Sequence, residues 1–136
     1  MDDAYRFAMQ EHLAELAEEL QHIQDLLAQQ DHMPTLVYRA AERNLQLLVE
    51  ACIGIAKQKL KAIGKQVPSE ARQTFEKLKA EGLDHSEIPW QQVVGMRNAL
   101  VHDYLNLDRD RIAEVIISGK YKTLIEFADN ILRSNQ

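Results

Sequence analysis

Apolar residues recur along nearly the whole chain at intervals of three and four, the spacing of one face of an α-helix. Phe7, Leu13, Leu16, Leu20, Ile23 and Leu27 carry this stripe through a first predicted helix over about residues 3–29, which QQDHMP ends. Pro34 suits the first turn of the next helix, where a missing N–H costs nothing. Val37, Ala41, Leu48, Cys52, Ile55 and Ala56 then extend the stripe to about Ile63, and Gly64 follows as a C-terminal cap. A shorter third helix is predicted after Pro68, with Ser69 as N-cap and Glu70 in its first turn, running to about Ala80 before Gly82. GLDHSEIPW connects it to a fourth, from about Trp90 to Tyr104, and Asp108 caps a fifth that extends to about Leu132. Ser118 and Gly119 interrupt that last helix and are expected to bend it, since interior glycine costs about 1 kcal/mol relative to alanine. No alternating strand pattern, internal repeat or low-complexity tract is present. The pattern therefore predicts an all-α fold, an up-and-down bundle of about five helices built by one domain over residues 1–136.

Composition narrows the chemistry. The one cysteine, Cys52, lies inside LVEACIGIA, so a disulfide framework and paired-cysteine metal spacings are both excluded, and Cys52 reads as a core residue suited to a reducing compartment. The N-terminal MDDAYRFAMQEH lacks a basic segment followed by an apolar one, and no apolar run approaches the roughly 18 residues of a membrane helix. A soluble cytoplasmic protein with no membrane association is expected. The formal charge of −5 argues against coating nucleic acid through bulk electrostatics, though a local basic cleft is compatible with it. KQKLKAIGK, with Lys57, Lys59, Lys61 and Lys65, reads as a solvated last turn complementing the helix dipole.

The stretch GMRNALVHDYLNLD, residues 95–108, is the place where polar chemistry interrupts the apolar pattern. On an ideal helix Arg97 and Tyr104 lie within about 20° of each other, whereas His102 falls about 140° from Arg97. Val93, Val94, Leu100, Val101 and Leu105 flank the first pair, so a guanidinium there needs a hydrogen-bonding or acidic partner. Asn98 and His102 sit one turn apart on the other side, placed to share a ligand. Either the helix loosens near His102 or a second subunit completes the site, and a two-fold axis joining two copies of the motif is the favoured arrangement. A plain structural role, with Arg97 paired to a carboxylate and His102 complementing the helix dipole, is the competing interpretation. No second histidine or cysteine stands at ligand spacing beside His102, so no metal is expected, and His12, His22, His32 and His85 read as scattered surface residues. A glycine-rich phosphate loop and a nucleophile elbow are both missing.

R-N-A-L-V-H-D-Y resembles the R-x-x-x-x-H-x-Y pattern of the HEPN superfamily, specifically its HepT-like toxin branch, with Arg97, His102 and Tyr104 at the matching positions. Asn98 is the polar residue common after the arginine, and Asn44 to Ala56, N-L-Q-x-x-x-E-A-C-I-x-I-A, looks like the second helix of that branch. The resemblance covers nearly the whole chain. It implies a dimeric HEPN-like bundle, or a larger even-numbered assembly, acting as the toxin of a type VII-like toxin–antitoxin pair. The implied activity is a metal-independent endoribonuclease with no cofactor, whose partner is a nucleotidyltransferase antitoxin of the MntA type. Histidine suits proton transfer at the RNA 2′-hydroxyl or the leaving oxygen, and arginine suits the phosphate. The resemblance implies that the antitoxin attaches AMP to Tyr104, adding bulky negative charge at the cleft. Glu50, in the matching second-helix stretch, is a candidate for orienting Arg97 or His102, and Asp103 is expected to be exposed. The alternative function is a non-catalytic docking or substrate-binding partner of a small nucleotidyltransferase, which the acidic balance also fits.

Overall fold

The computed structural model of the chain describes residues 1–134, apart from the side chain of Tyr104. Six α-helices and one 3-10 turn occur among them, with no strand: α1 (Asp3–Ala28), α2 (Thr35–Ala62), α3 (Ala71–Ala80), α4 (Trp90–His102), the turn Tyr104–Asn106, α5 (Arg109–Ile117) and α6 (Tyr121–Arg133). The all-α bundle agrees with the apolar periodicity.

Local chemistry sets the boundaries. Asp2 caps α1 by accepting from the Ala4 N–H at 2.8 Å, and Asp108 caps α5 by accepting from Asp110 N–H at 2.9 Å. At the end of α2 the Gly64 N–H donates to Lys61 O and the Lys65 N–H to Leu60 O, a six-residue closure that requires the φ of +78° at Gly64. Pro34 is the N-cap of α2 and not part of its first turn. Similarly α3 begins one residue later than expected: Glu70, not Ser69, is the N-cap, and no side chain caps it. Ser69 instead turns its carbonyl to the Lys57 ammonium at 3.1 Å, while the Thr74 hydroxyl donates to Glu70 O.

Two helix predictions need correction. The predicted fifth helix is two, α5 and α6, because Gly119 adopts φ +77° and ends the first of them outright. The fourth ends at His102, two residues short of Tyr104, for reasons that bear on the site below.

α2 occupies the centre and packs against α1, α3, α4, α5 and α6. Its neighbours turn their apolar stripes toward it, with Leu13, Leu16, Leu20, Ile23 and Leu27 from α1 all buried. Phe7 does not join them and is 63% exposed; six residues before Leu13, it lies about 120° around the helix from that stripe. At one end of the core Phe75 and Trp90 stack in parallel with ring centroids 3.7 Å apart, and Phe127 meets Trp90 edge-on at 4.7 Å. Asp84 anchors this cluster. Its buried carboxylate accepts from the Trp90 indole N–H at 2.7 Å, from the Ser86 hydroxyl at 2.6 Å and from the Ser86 N–H at 2.9 Å. No described helix is long and apolar enough to cross a membrane.

Replacing Asp84 by alanine strands the indole N–H, so Asp84→Ala is expected to lower the unfolding free energy by about 1–3 kcal/mol in urea denaturation. Gly119→Ala is expected to cost about 1–2 kcal/mol in the same assay, the ordinary penalty of a left-handed alanine. An unchanged midpoint for either variant contradicts the assigned role.

Candidate active site

Trp90, Val94 and Leu100 form the buried face of α4, and Arg97, seven residues beyond Trp90, returns to within about 20° of it. The helix therefore drives a guanidinium toward the bundle. Arg97 is half-buried, its Nε is enclosed without a hydrogen-bond partner, and it forms no ion pair among the described residues. The competing structural interpretation, Arg97 paired to a carboxylate, finds no such ion pair among the described residues. On α2, which packs against α4, Asn44 is in a related condition: its amide donates to Ala40 O at 2.8 Å, while its Oδ1 is buried and unpaired. Buried polar atoms are almost always paired, so unpaired atoms on Arg97 and Asn44 are exceptions with functional interest. Sequence reading passed over Asn44 because an asparagine mid-helix reveals nothing of its burial.

His102 is the last residue of α4 and is exposed, as is Asn98 one turn before it. The helix holds through His102 and departs from helical geometry only at Asp103, so within one chain Arg97 and His102 stay on opposed faces. Asp103 takes φ −143° and ψ 34°, outside the helical range, and its carboxylate accepts from the Asn106 side-chain amide at 2.7 Å. The Asn106 N–H also donates to the Asp103 carbonyl at 3.0 Å, which closes the 3-10 turn. Aspartate and asparagine compete with helical hydrogen bonds in this way, which explains why α4 stops where periodicity alone would continue it. Tyr104 opens that turn, so the ideal-helix position beside Arg97 does not apply to it, and its side chain lies outside the described residues. Asp103 is exposed as expected.

The far end of the connector is held by α5. The Arg109 guanidinium stands 4.5 Å from the ring centroid of Tyr38, a buried residue in the first turn of α2. Burial, with Glu42 beside it, pushes the Tyr38 phenol above its ordinary value, and Glu42 in turn pairs with Arg39 at 3.6 Å.

Other sequence candidates separate from this centre. Glu50 is half-buried on α2, accepts from the Gln46 amide at 3.4 Å, and has no ion pair with Arg97 or His102. Cys52 is wholly buried, its thiol donating to Leu124 O at 3.5 Å and pushed up by burial, as a core residue should be. His22, His32 and His85 are exposed, whereas His12 is half-buried. Lys59 departs from the solvated turn expected of KQKLKAIGK: it is 1% exposed, and burial, then the charge of Arg6, lowers its pKa. No group of three or more His, Cys, Asp or Glu side chains is placed to hold a metal ion among the described residues.

The profile described as "Ribonuclease HepT-like" matches residues 9–131, which take in both Asn44–Ala56 and the R-x-x-x-x-H-x-Y motif. The chain belongs to the HepT-like family. Its fold is also similar to a chain of the solved structure "Crystal structure of the toxin-antitoxin with AMP-PNP", with a TM-score of 0.73 and 25% identity over 96% of this chain and 99% of that one. No curated protein shows significant similarity. In this HepT-like chain, then, the motif holds a half-buried guanidinium with no ion pair among the described residues and, five residues on, an exposed imidazole at a helix end. The first can grip an anion, and the second can exchange protons with whatever that anion carries.

A half-buried guanidinium with no ion pair among the described residues adds little to folding. Arg97→Met keeps the length of the side chain and removes the charge, so its unfolding free energy is expected to match or exceed the parent's by up to about 1 kcal/mol. A loss above about 1 kcal/mol in urea denaturation contradicts the absence of a stabilising partner.

Proposed function

We propose that this HepT-like chain, acting as one domain over residues 1–136 in the cytoplasm, is the toxin of a toxin–antitoxin pair and a metal-independent endoribonuclease. The observation that carries the reading is Arg97, half-buried with no ion pair among the described residues and its Nε unpaired, five residues before an exposed His102 in a full R-x-x-x-x-H-x-Y motif. Arg97 holds the scissile phosphate and stabilises charge that develops on its oxygens. His102 takes the proton of the 2′-hydroxyl as that oxygen attacks phosphorus. The bond to the 5′-oxygen breaks, the leaving oxygen receives a proton from an imidazolium, and the products are a 2′,3′-cyclic phosphate and a 5′-hydroxyl. Asn98, one turn before His102, is a supporting polar contact, and Glu50 is a weaker candidate for orienting the pair.

Two imidazoles serve that exchange better than one, and a two-fold dimer supplies them. Leu105 is 82% exposed and Val101 38% exposed, apolar side chains on either side of His102 that contact with a second copy would cover. Tyr104, in the same connector, is the residue to which a cognate MntA-like nucleotidyltransferase attaches AMP. The added phosphate places negative charge at the cleft and opposes RNA. Similarity to a chain solved as a toxin–antitoxin with AMP-PNP supports a partner of that kind.

The formal charge of −5 favours a second reading, a docking partner of a nucleotidyltransferase without activity of its own. The two differ in what His102 does. With the purified chain and a structured RNA, His102→Ala and Arg97→Ala are each expected to slow cleavage by about 10²–10⁴ while remaining folded. After co-expression with the nucleotidyltransferase and ATP, intact mass is expected to show an AMP adduct that Tyr104→Phe abolishes. Cleavage that persists in folded His102→Ala protein contradicts the catalytic assignment, and an adduct on Tyr104→Phe places the modification elsewhere.

A further inference from the structure

A groove of about 640 Å³ opens beside the connector, between α5 and the turn that joins α1 to α2. Leu27, Met33, Ala113 and Ile117 contribute apolar surface to it, Asp31 and Asp110 stand among its polar residues, and Arg109 lines it from the first position of α5. Its volume suits a nucleoside-sized ligand.

Arg109 is the informative side chain. It is exposed, and its interaction among the described residues is the one with the Tyr38 ring: no carboxylate pairs with it, although Asp108 and Asp110 adjoin it in sequence. Arg39, whose charge also acts on Tyr38, is by contrast paired, with Glu42. An aromatic ring under a guanidinium fixes its plane while leaving N–H groups at its edge free for a phosphate. The ring itself is fixed, since Tyr38 is 3% exposed. Arg109 is thus a pre-oriented cation with no ion pair among the described residues, and little ordering is lost when it meets an anion. It follows the motif in the chain, seven positions after His102, a span of at most roughly 25 Å that the 3-10 turn shortens.

We infer that this groove is a nucleotide subsite of the RNA, in which Arg109 holds a backbone phosphate other than the scissile one and the apolar wall receives the attached nucleoside. Asp31 and Asp110 disfavour a second phosphate, which limits the subsite to a single nucleotide and leaves carboxylates available to base amino groups. The subsite rests on the ribonuclease reading above, but Arg109 binds and does not transfer protons, so its loss has a different signature from that of His102.

The test uses the full chain and a short single-stranded RNA whose 2′-hydroxyls are methylated, which can bind and cannot be cleaved. Its affinity is expected to fall about tenfold or more in Arg109→Ala and to recover in part in Arg109→Lys, while Arg133→Ala, an equal charge change on α6, stays within about twofold. On cleavable RNA the Arg109→Ala loss is expected in KM, with kcat retained. Equal binding by the parent and Arg109→Ala overturns the subsite and leaves the nuclease intact. So does an Arg109→Ala protein that binds RNA normally and loses the nucleotidyltransferase, which makes the groove a protein interface. A parent chain that neither binds nor cleaves RNA removes both readings together.

Discussion

The burial of α2 is the constraint on which the rest of the structure depends. Thirteen of its 28 residues are buried, enough to commit it to neighbours on more than one side, and every other α-helix packs against it. Small side chains make this feasible: Ala41, Ala51, Cys52 and Ala56 let surrounding helices approach, while Leu45, Leu48, Ile55 and Leu60 fill the space between them. The same crowding leaves little choice for polar groups that face inward. Asn44, Lys59 and Glu42 are all buried on α2, and each is buried within hydrogen-bonded or charged surroundings that a polar surface would not need.

That crowding bears directly on the motif. α4 lies against α2, so a seven-residue spacing from Trp90 carries Arg97 onto the packed face whether or not the bundle benefits. The fold tolerates a guanidinium with no ion pair among the described residues because one such group costs only part of the stability that a 136-residue core supplies. His102 then emerges at the helix end, and Asp103 with Asn106 stops the helix before periodicity would bury the connector. Arg109 on Tyr38 fastens the other end to α2. The packed scaffold thus presents the candidate residues along α4 and in the connector that follows it.

Much of this was legible in the sequence because it follows from spacing and caps. The all-α bundle, the cap at Asp108, the closure at Gly64 and the burial of Cys52 each rest on a local rule that tertiary contacts reinforce. The misreadings arose where a local rule met a competing one. Asp103 outbid helical continuation through its side chain, Gly119 ended a helix that was expected only to bend, and Phe7 fell outside a stripe whose interval it did not share. Arg97 and His102 were visible as a motif, but the unpaired Arg97 Nε depends on what the packed helices offer it. Arg109 and Tyr38 are 71 positions apart, and no periodicity connects them.

The chemical ends of the RNA fragments test the central claim most directly. Chelator-treated chain incubated with a defined RNA is predicted to leave 2′,3′-cyclic phosphate on one fragment and a 5′-hydroxyl on the next, as attack by the internal 2′-oxygen requires. Fragments ending in a 3′-hydroxyl and a 5′-phosphate, or RNA that remains whole, would contradict an arginine and histidine acting through that attack.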